Sequence, residues 1–175
     1  MEKLINGVIK SICMNYDREL SSFDNDFSII EKELLKTSKE FSPYPLNQAV
    51  KSLLELGGKR IRPILVTLAF RSVDETSDIV KATPIAVAVE LIHTATLIHD
   101  DIIDRSSKRR GVDSAVKKWG EEAAILAGDL LFSKAFGLVG VNEIAELTVV
   151  ISKACIRLSE GEMLEFQHTR NTSMT

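Results

Sequence analysis

Cysteine is nearly absent: Cys13 and Cys155 are the only two in 175 residues. They lie far apart and form no CxxC or Cys/His metal pattern, which fits a reducing, cytoplasmic setting. No charge sign dominates. The 22 basic and 25 acidic side chains leave a formal charge of −3, so nothing general points to nucleic acid, and any basic site has to be local. Long apolar runs are also missing. The amino terminus, MEKLINGVIKSICMNYDREL, carries charges where a signal peptide needs an unbroken apolar core. No stretch reads as the ~18 apolar residues of a transmembrane segment. What is present is 45% hydrophobic and 27% charged residues, a globular balance with material for a core. The length suits one domain or part of a larger one.

Strand signals are scarce and helical ones plentiful, so the fold class is all-α. Apolar positions at Leu4, Ile5, Val8, Ile9, Ile12 and Leu20 predict a helix over residues 3–20. A second helix is expected from about Asp26 to Lys39, broken by the prolines of FSPYPLN. A third should run from Leu46 to the glycine pair 57–58 and resume after Pro63. Residues 72–78 read as polar linker. A long helix opens near Thr83-Pro84, with threonine able to cap and proline tolerated in the first turn. RSSKRRGVDSA reads as loop, Val116 to Trp119 as a short turn, and EEAAILAGDLLFSKAF as helix. A last helix is expected over about Asn142 to Phe166.

The long helix ends in LIHDDIID. At 3.6 residues per turn, His93, Asp100 and Asp104 fall within about 20° of one line, a polar stripe on an apolar helix, while Asp101 lies about 100° aside. Aspartates one turn apart repel and, near a helix carboxyl terminus, oppose the macrodipole. Divalent cations would remove both penalties, and hard oxygen donors with room for water suit Mg²⁺ and a metal-bridged phosphate. A solvated helix end paired with the following arginines is the plainer reading of such a motif. Two basic elements flank it. GGKRIRP places Lys59, Arg60 and Arg62 behind Gly57 and Gly58, which let backbone approach an anion. Arg109-Arg110-Gly111 follows the aspartates. Lysine and arginine are the usual equipment for phosphate oxygens, and together the two elements suggest two polyphosphate groups held side by side.

GGKRIRP, ELIHTATLIHDDIID, RRG and AGDLLF, in this order and approximate spacing, resemble the trans-isoprenyl diphosphate synthases, from about Leu53 to Gln167. The resemblance implies an isoprenoid-synthase-type helical bundle around a central apolar cavity, with metal and diphosphates at its mouth. It assigns Asp100, Asp101 and Asp104 to the family's first aspartate-rich catalytic motif, with Asp100 and Asp104 as Mg²⁺ ligands. It assigns Gly58, Lys59, Arg62, His93 and Arg110 to the diphosphate of isopentenyl diphosphate, and Arg109 to that of an allylic partner such as farnesyl diphosphate. The implied activity is Mg²⁺-dependent prenyl transfer, commonly by a homodimer.

In this family bulky residues four or five places before the first aspartate stop chain growth. Here those positions are Thr96 and Ala95, both small, which implies an open tunnel and a hexaprenyl to decaprenyl product. Helix geometry favours Thr96 as the tunnel-facing member, because Ala95 lies about 140° from Asp100. Phe132 and Phe136, one turn apart, read either as a deeper floor or as ordinary core. The chain departs from the family in three places. Val112 to Ala115 stand where a Pro-Thr pair is usual, and Glu165 stands where long-chain members often carry Gln. The later Lys-Thr and second aspartate-rich motifs are missing before Thr175, so residues 1–175 resemble the amino-terminal portion of a single synthase domain, incomplete for turnover. Two alternatives stay open: a non-catalytic or regulatory subunit of a heteromeric synthase, and a class I terpene or squalene-type synthase.

Overall fold

A computed structural model describes residues 24–74, 76–141 and 144–168. The helix expected over residues 3–20 lies outside them. Seven α-helices follow in order, with one short hairpin. Helix α1 (Asp24–Thr37) buries Asp26, Ile30, Leu34 and Thr37, one face at helical spacing. Helix α2 (Leu46–Glu55) buries Ala49, Val50 and Leu54, and the chain then turns through Gly57 at φ +65°.

Helix α3 (Ile61–Val73) begins two residues before Pro63, earlier than expected. Its third residue needs no backbone donor, because the first N–H groups of a helix have no internal partner. A 3₁₀ turn at Ile79–Lys81 leads into α4 (Thr83–Ile103), where Thr83 is not the cap. Its hydroxyl donates back to the Ile79 carbonyl at 3.0 Å, and Ala82 occupies the cap position.

Residues 108–113, expected as plain loop, form a two-stranded hairpin. β1 (Lys108–Arg109) pairs antiparallel with β2 (Val112–Asp113). Its turn residues Arg110 and Gly111 have φ of +50° and +83°, the sign pattern of a type I′ turn. The departure from Pro-Thr is accommodated by Ser114, which is buried. Its hydroxyl donates to the Ser106 carbonyl at 2.7 Å and accepts from the Lys117 amide at 3.3 Å, capping α5 (Ala115–Trp119). Helix α6 (Glu121–Gly140) and α7 (Ala145–His168) complete the chain.

The core is built on α4 against α6, the most extensive interface among the described residues. Ala86, Ala88 and Ala95 of α4 and Ala124, Ala127 and Ala135 of α6 are fully buried, and such small side chains let packed helices approach closely. Helix α6 is also long and apolar enough, by length and composition, to cross a bilayer, unlike the expectation that no stretch reaches that length. Here it lies along α4 with Ala124, Ala127, Leu131, Ala135 and Val139 in the shared core. By contrast α7 buries only Ile151 among its described residues, with Leu147 and Cys155 partly buried against the core.

Candidate diphosphate-binding site

The carboxyl end of α4 meets the hairpin, the Gly57–Arg60 loop and one face of α7. Its three aspartates are held differently. Asp101 is 1% exposed, and Oδ1 accepts from Arg109 Nη2 at 2.6 Å and Nε at 2.9 Å. Arg109 Nη2 also donates to the Leu97 carbonyl at 3.1 Å, so this pair clamps the hairpin to α4. Among the described residues Asp100 and Asp104 have no such partner. Burial pushes the Asp100 carboxyl above the ordinary range; Arg109 opposes this, and Asp104 and Asp101 add to it. Asp104 sits at the helix end, exposed, with its amide bonded to the Asp100 carbonyl at 2.8 Å.

The three cations of GGKRIRP also separate. Arg60, at φ +48°, is buried rather than offered to a ligand. It donates to Glu31 at 3.0 and 3.1 Å, to Glu90 at 3.1 Å and to the Leu54 carbonyl at 2.7 Å. Burial works against its charge, but the hydrogen bonds and charges of Glu31 and Glu90 more than offset it, and its pKa is raised. Arg62 is exposed and faces His93. Lys59 is exposed too, but lines a separate hollow of about 270 Å³ with Asp24, Phe27 and Thr67. The structure therefore gathers Arg62, His93 and Arg110, and leaves Lys59 to one side.

The two basic elements touch directly. Arg110 Nη1 donates to the Gly57 carbonyl, and a Cβ on Gly58 would lie 2.8 Å from that nitrogen. Gly58 thus matters because Arg110 lies across it. Between these cations His93 is neutral: burial first, then Arg62, Arg110 and Arg109, lower its pKa to about 4.

Two hollows adjoin at His93 and Leu97. The polar one, about 580 Å³, is lined by Asp101, Asp104, Ser106, Lys108, Arg109 and Arg110. The other, about 560 Å³, has Arg62, Asp100 and Glu162 with Thr96, Phe132 and Phe166 in its wall. Of the expected tunnel residues, Thr96 and Phe132 line this cavity. Ala95 is fully buried in the core, and Phe136 packs against the core outside the cavity lining.

Two residues of this wall escaped the sequence reading. Glu162 faces Asp100 from α7, and that charge, then burial, Glu165 and Asp104, raise its pKa. Its signal was the helical stripe Cys155, Ser159, Glu162, Phe166. His99, beside the aspartates, was absorbed into their motif. Among the described residues no group of three or more His, Cys, Asp or Glu side chains is arranged to hold a metal ion. The candidate donors are carboxylates: Asp100 and Asp104 one turn apart at the end of α4, and Glu162 of α7 in the same cavity wall as Asp100. Such a set fits a hard divalent cation that keeps waters and takes phosphate oxygens.

Comparison with known proteins places this arrangement. A family model described as "Polyprenyl synthetase" matches residues 43–175. Geranylgeranyl diphosphate synthase of Methanosarcina mazei is 42% identical over 148 residues, covering 82% of this chain and 44% of that protein. Octaprenyl diphosphate synthase of Escherichia coli is 35% identical over 130 residues, 74% of this chain and 40% of that one. The crystal structure of a decaprenyl diphosphate synthase from Rhodobacter capsulatus superposes with a TM-score of 0.82 at 31% identity, over 91% of this chain and 48% of that one. The chain belongs to the polyprenyl synthetase family and has the helical isoprenoid-synthase fold. It spans less than half the length of these relatives.

Proposed function

We propose that the protein joins isopentenyl diphosphate to an allylic diphosphate such as farnesyl diphosphate, with Mg²⁺, and extends the product to a long polyprenyl chain of hexaprenyl to decaprenyl size. The observation that carries this reading is the pair of adjoining hollows, one largely apolar with Asp100, Glu162 and Arg62 at its wall, the other polar with Asp101, Asp104, Lys108, Arg109 and Arg110. Asp100 and Asp104 are the residues to hold Mg²⁺, which when bound supplies positive charge against the departing diphosphate. Asp101 holds Arg109 in the wall of the polar hollow, a positioning role. Arg62, Arg110 and neutral His93 receive the isopentenyl diphosphate, the imidazole offering a hydrogen bond without a third like charge. Lys59 would have to swing from its own hollow to join them.

In the reaction the allylic C–O bond breaks and its electron pair leaves with the diphosphate. The isopentenyl double bond attacks the cation, and a proton is lost, the released diphosphate being a suitable acceptor. The chain's own part is to fix both diphosphates by charge and to keep water from the cation with Leu97, Phe132, Leu158 and Phe166. Thr96 in the cavity wall, with its hydroxyl satisfied by the His93 carbonyl at 2.8 Å, supports a long product because it is small. Assembly as a homodimer belongs to the same proposal and is supported by exposed apolar side chains on α6, Ile125 and Leu126. The test incubates the protein with Mg²⁺, farnesyl diphosphate and labelled isopentenyl diphosphate. A product ladder reaching six or more isoprene units is expected. Products that stop at geranylgeranyl diphosphate would refute the long chain, and label in a cyclised hydrocarbon would refute the chemistry.

A further inference from the structure

Gly128 of α6 is buried, and its missing side chain is occupied by a neighbour. A Cβ there would lie 2.2 Å from His99 Nε2, 2.7 Å from Cδ2 and 2.9 Å from Cε1, closer than any real contact. The imidazole therefore lies flat on the Gly128 backbone. One turn further along α6, the Phe132 ring meets it at 5.9 Å between centroids and a 34° tilt. Nε2 stands 3.4 Å from the Ile125 carbonyl and 3.7 Å from Asp129 Oδ1, which fixes the ring along α6. Both rings line the 560 Å³ cavity, opposite Leu158, Met163 and Phe166 of α7.

We propose that His99 is a positioning residue for product length: seated on Gly128, it holds the Phe132 ring where that ring limits how far a prenyl chain can enter. The inference rests on reading this cavity as the prenyl-chain site. Three features make the seat specific. Any side chain at position 128 displaces the imidazole. The imidazole is the tip of a rotatable side chain already bordering the cavity, so it moves into that space. Phe132 loses the ring it packs against when the imidazole is removed, whereas an imidazole displaced into the cavity still fills the space beside it. Gly128→Ala thus makes the cavity shallower, and His99→Ala makes it deeper. His99→Phe keeps a planar ring over Gly128 and preserves the wild-type depth.

The test measures, by calorimetry in Mg²⁺, the affinity of the intact protein for geranyl, farnesyl, geranylgeranyl and hexaprenyl diphosphates, with inorganic diphosphate as reference. Gly128→Ala should weaken the longest ligands about tenfold relative to geranyl diphosphate, the loss of roughly two buried methylenes. His99→Ala should shift preference toward the longest ligand, and His99→Phe should restore the wild-type order. His99→Ala only removes atoms, so it carries the test even where alanine at 128 prevents folding. A merely structural role would lower the melting temperature and leave the order of chain-length preference unchanged, and that result overturns the inference. Wild-type protein that binds every allylic diphosphate no better than inorganic diphosphate would instead overturn the reading of the cavity, and the inference with it.

Discussion

Asp100 and Asp104 are arranged at a cost that Asp101 avoids. Asp101 shares its charge with Arg109, whereas Asp100 is partly buried and faces Asp104 and Glu162. Removing that charge should therefore stabilise the metal-free fold while damaging function. Asp100→Asn is expected to raise unfolding stability by about 0.5 kcal/mol, the scale of a relieved like-charge pair on a helix. It should also abolish any Mg²⁺-dependent rise in melting temperature. A destabilised metal-free variant would show that the repulsion has been misjudged. His93 gives a pH signature. Folding lowers its pKa from 6.5 to about 4, so as pH falls through this window the unfolded chain takes up the proton first and stability declines. Asp100, whose pKa folding raises, pulls the other way, gaining stability as pH falls. Replacing His93 with Asn separates the two. Melting curves of wild type and His93→Asn should diverge between pH 6.5 and 4, with the variant losing less stability, and parallel curves would contradict the assignment.

The elements are pinned near the site by buried ion pairs. Arg60 links the loop before α3 to Glu31 on α1 and Glu90 on α4, and Arg71 binds Asp26 at 2.7 and 2.8 Å. Removing one partner strands a buried charge, a loss of about 3–5 kcal/mol. Arg60→Ala should show that loss in urea unfolding and Arg62→Ala, at an exposed position, should not. Equal effects would mean the loop does not distinguish the two arginines. At this scale the sequence is only partly legible. Apolar periodicity was enough to predict α1, α2, α4 and α6, because a helix buries every third or fourth residue whatever it touches. It could not separate Arg60 from Lys59 and Arg62, since three cations in four residues look alike until partners from α1 and α4 arrive. The hairpin was hidden because Arg110, not asparagine or glycine, occupies the first turn position at positive φ. His99 was hidden because its reason for being there is a glycine 29 positions away, a pairing visible only when α4 and α6 are packed.

Across the whole molecule, stability is distributed unevenly. The α4–α6 pair is buried on its shared face, but α7 leaves Val150, Ile156, Leu158, Met163 and Phe166 about half exposed or more. Backbone amides of α7 beyond Ile151 should exchange with solvent orders of magnitude faster than those of Ala86 to Ile98. Mg²⁺ with farnesyl diphosphate should slow that exchange by filling the cavity α7 covers; uniform protection in the free protein would contradict this division. The family and the helical bundle were recoverable from GGKRIRP, the aspartate motif and RRG, whose order no single packing contact determines. Which hollow each residue lines was not, because Lys59 and Arg62 lie only three positions apart yet face different cavities.

Asp100 and Asp104 are expected to make allylic diphosphate binding depend on Mg²⁺. The most direct measurement of that dependence is a calorimetric titration of farnesyl diphosphate with and without Mg²⁺, on wild type and on the Asp100→Ala, Asp104→Ala double variant. Saturable binding that requires Mg²⁺ and is lost in the variant is the expected result. Equal affinity without the metal, or undiminished Mg²⁺-dependent binding in the variant, would contradict it.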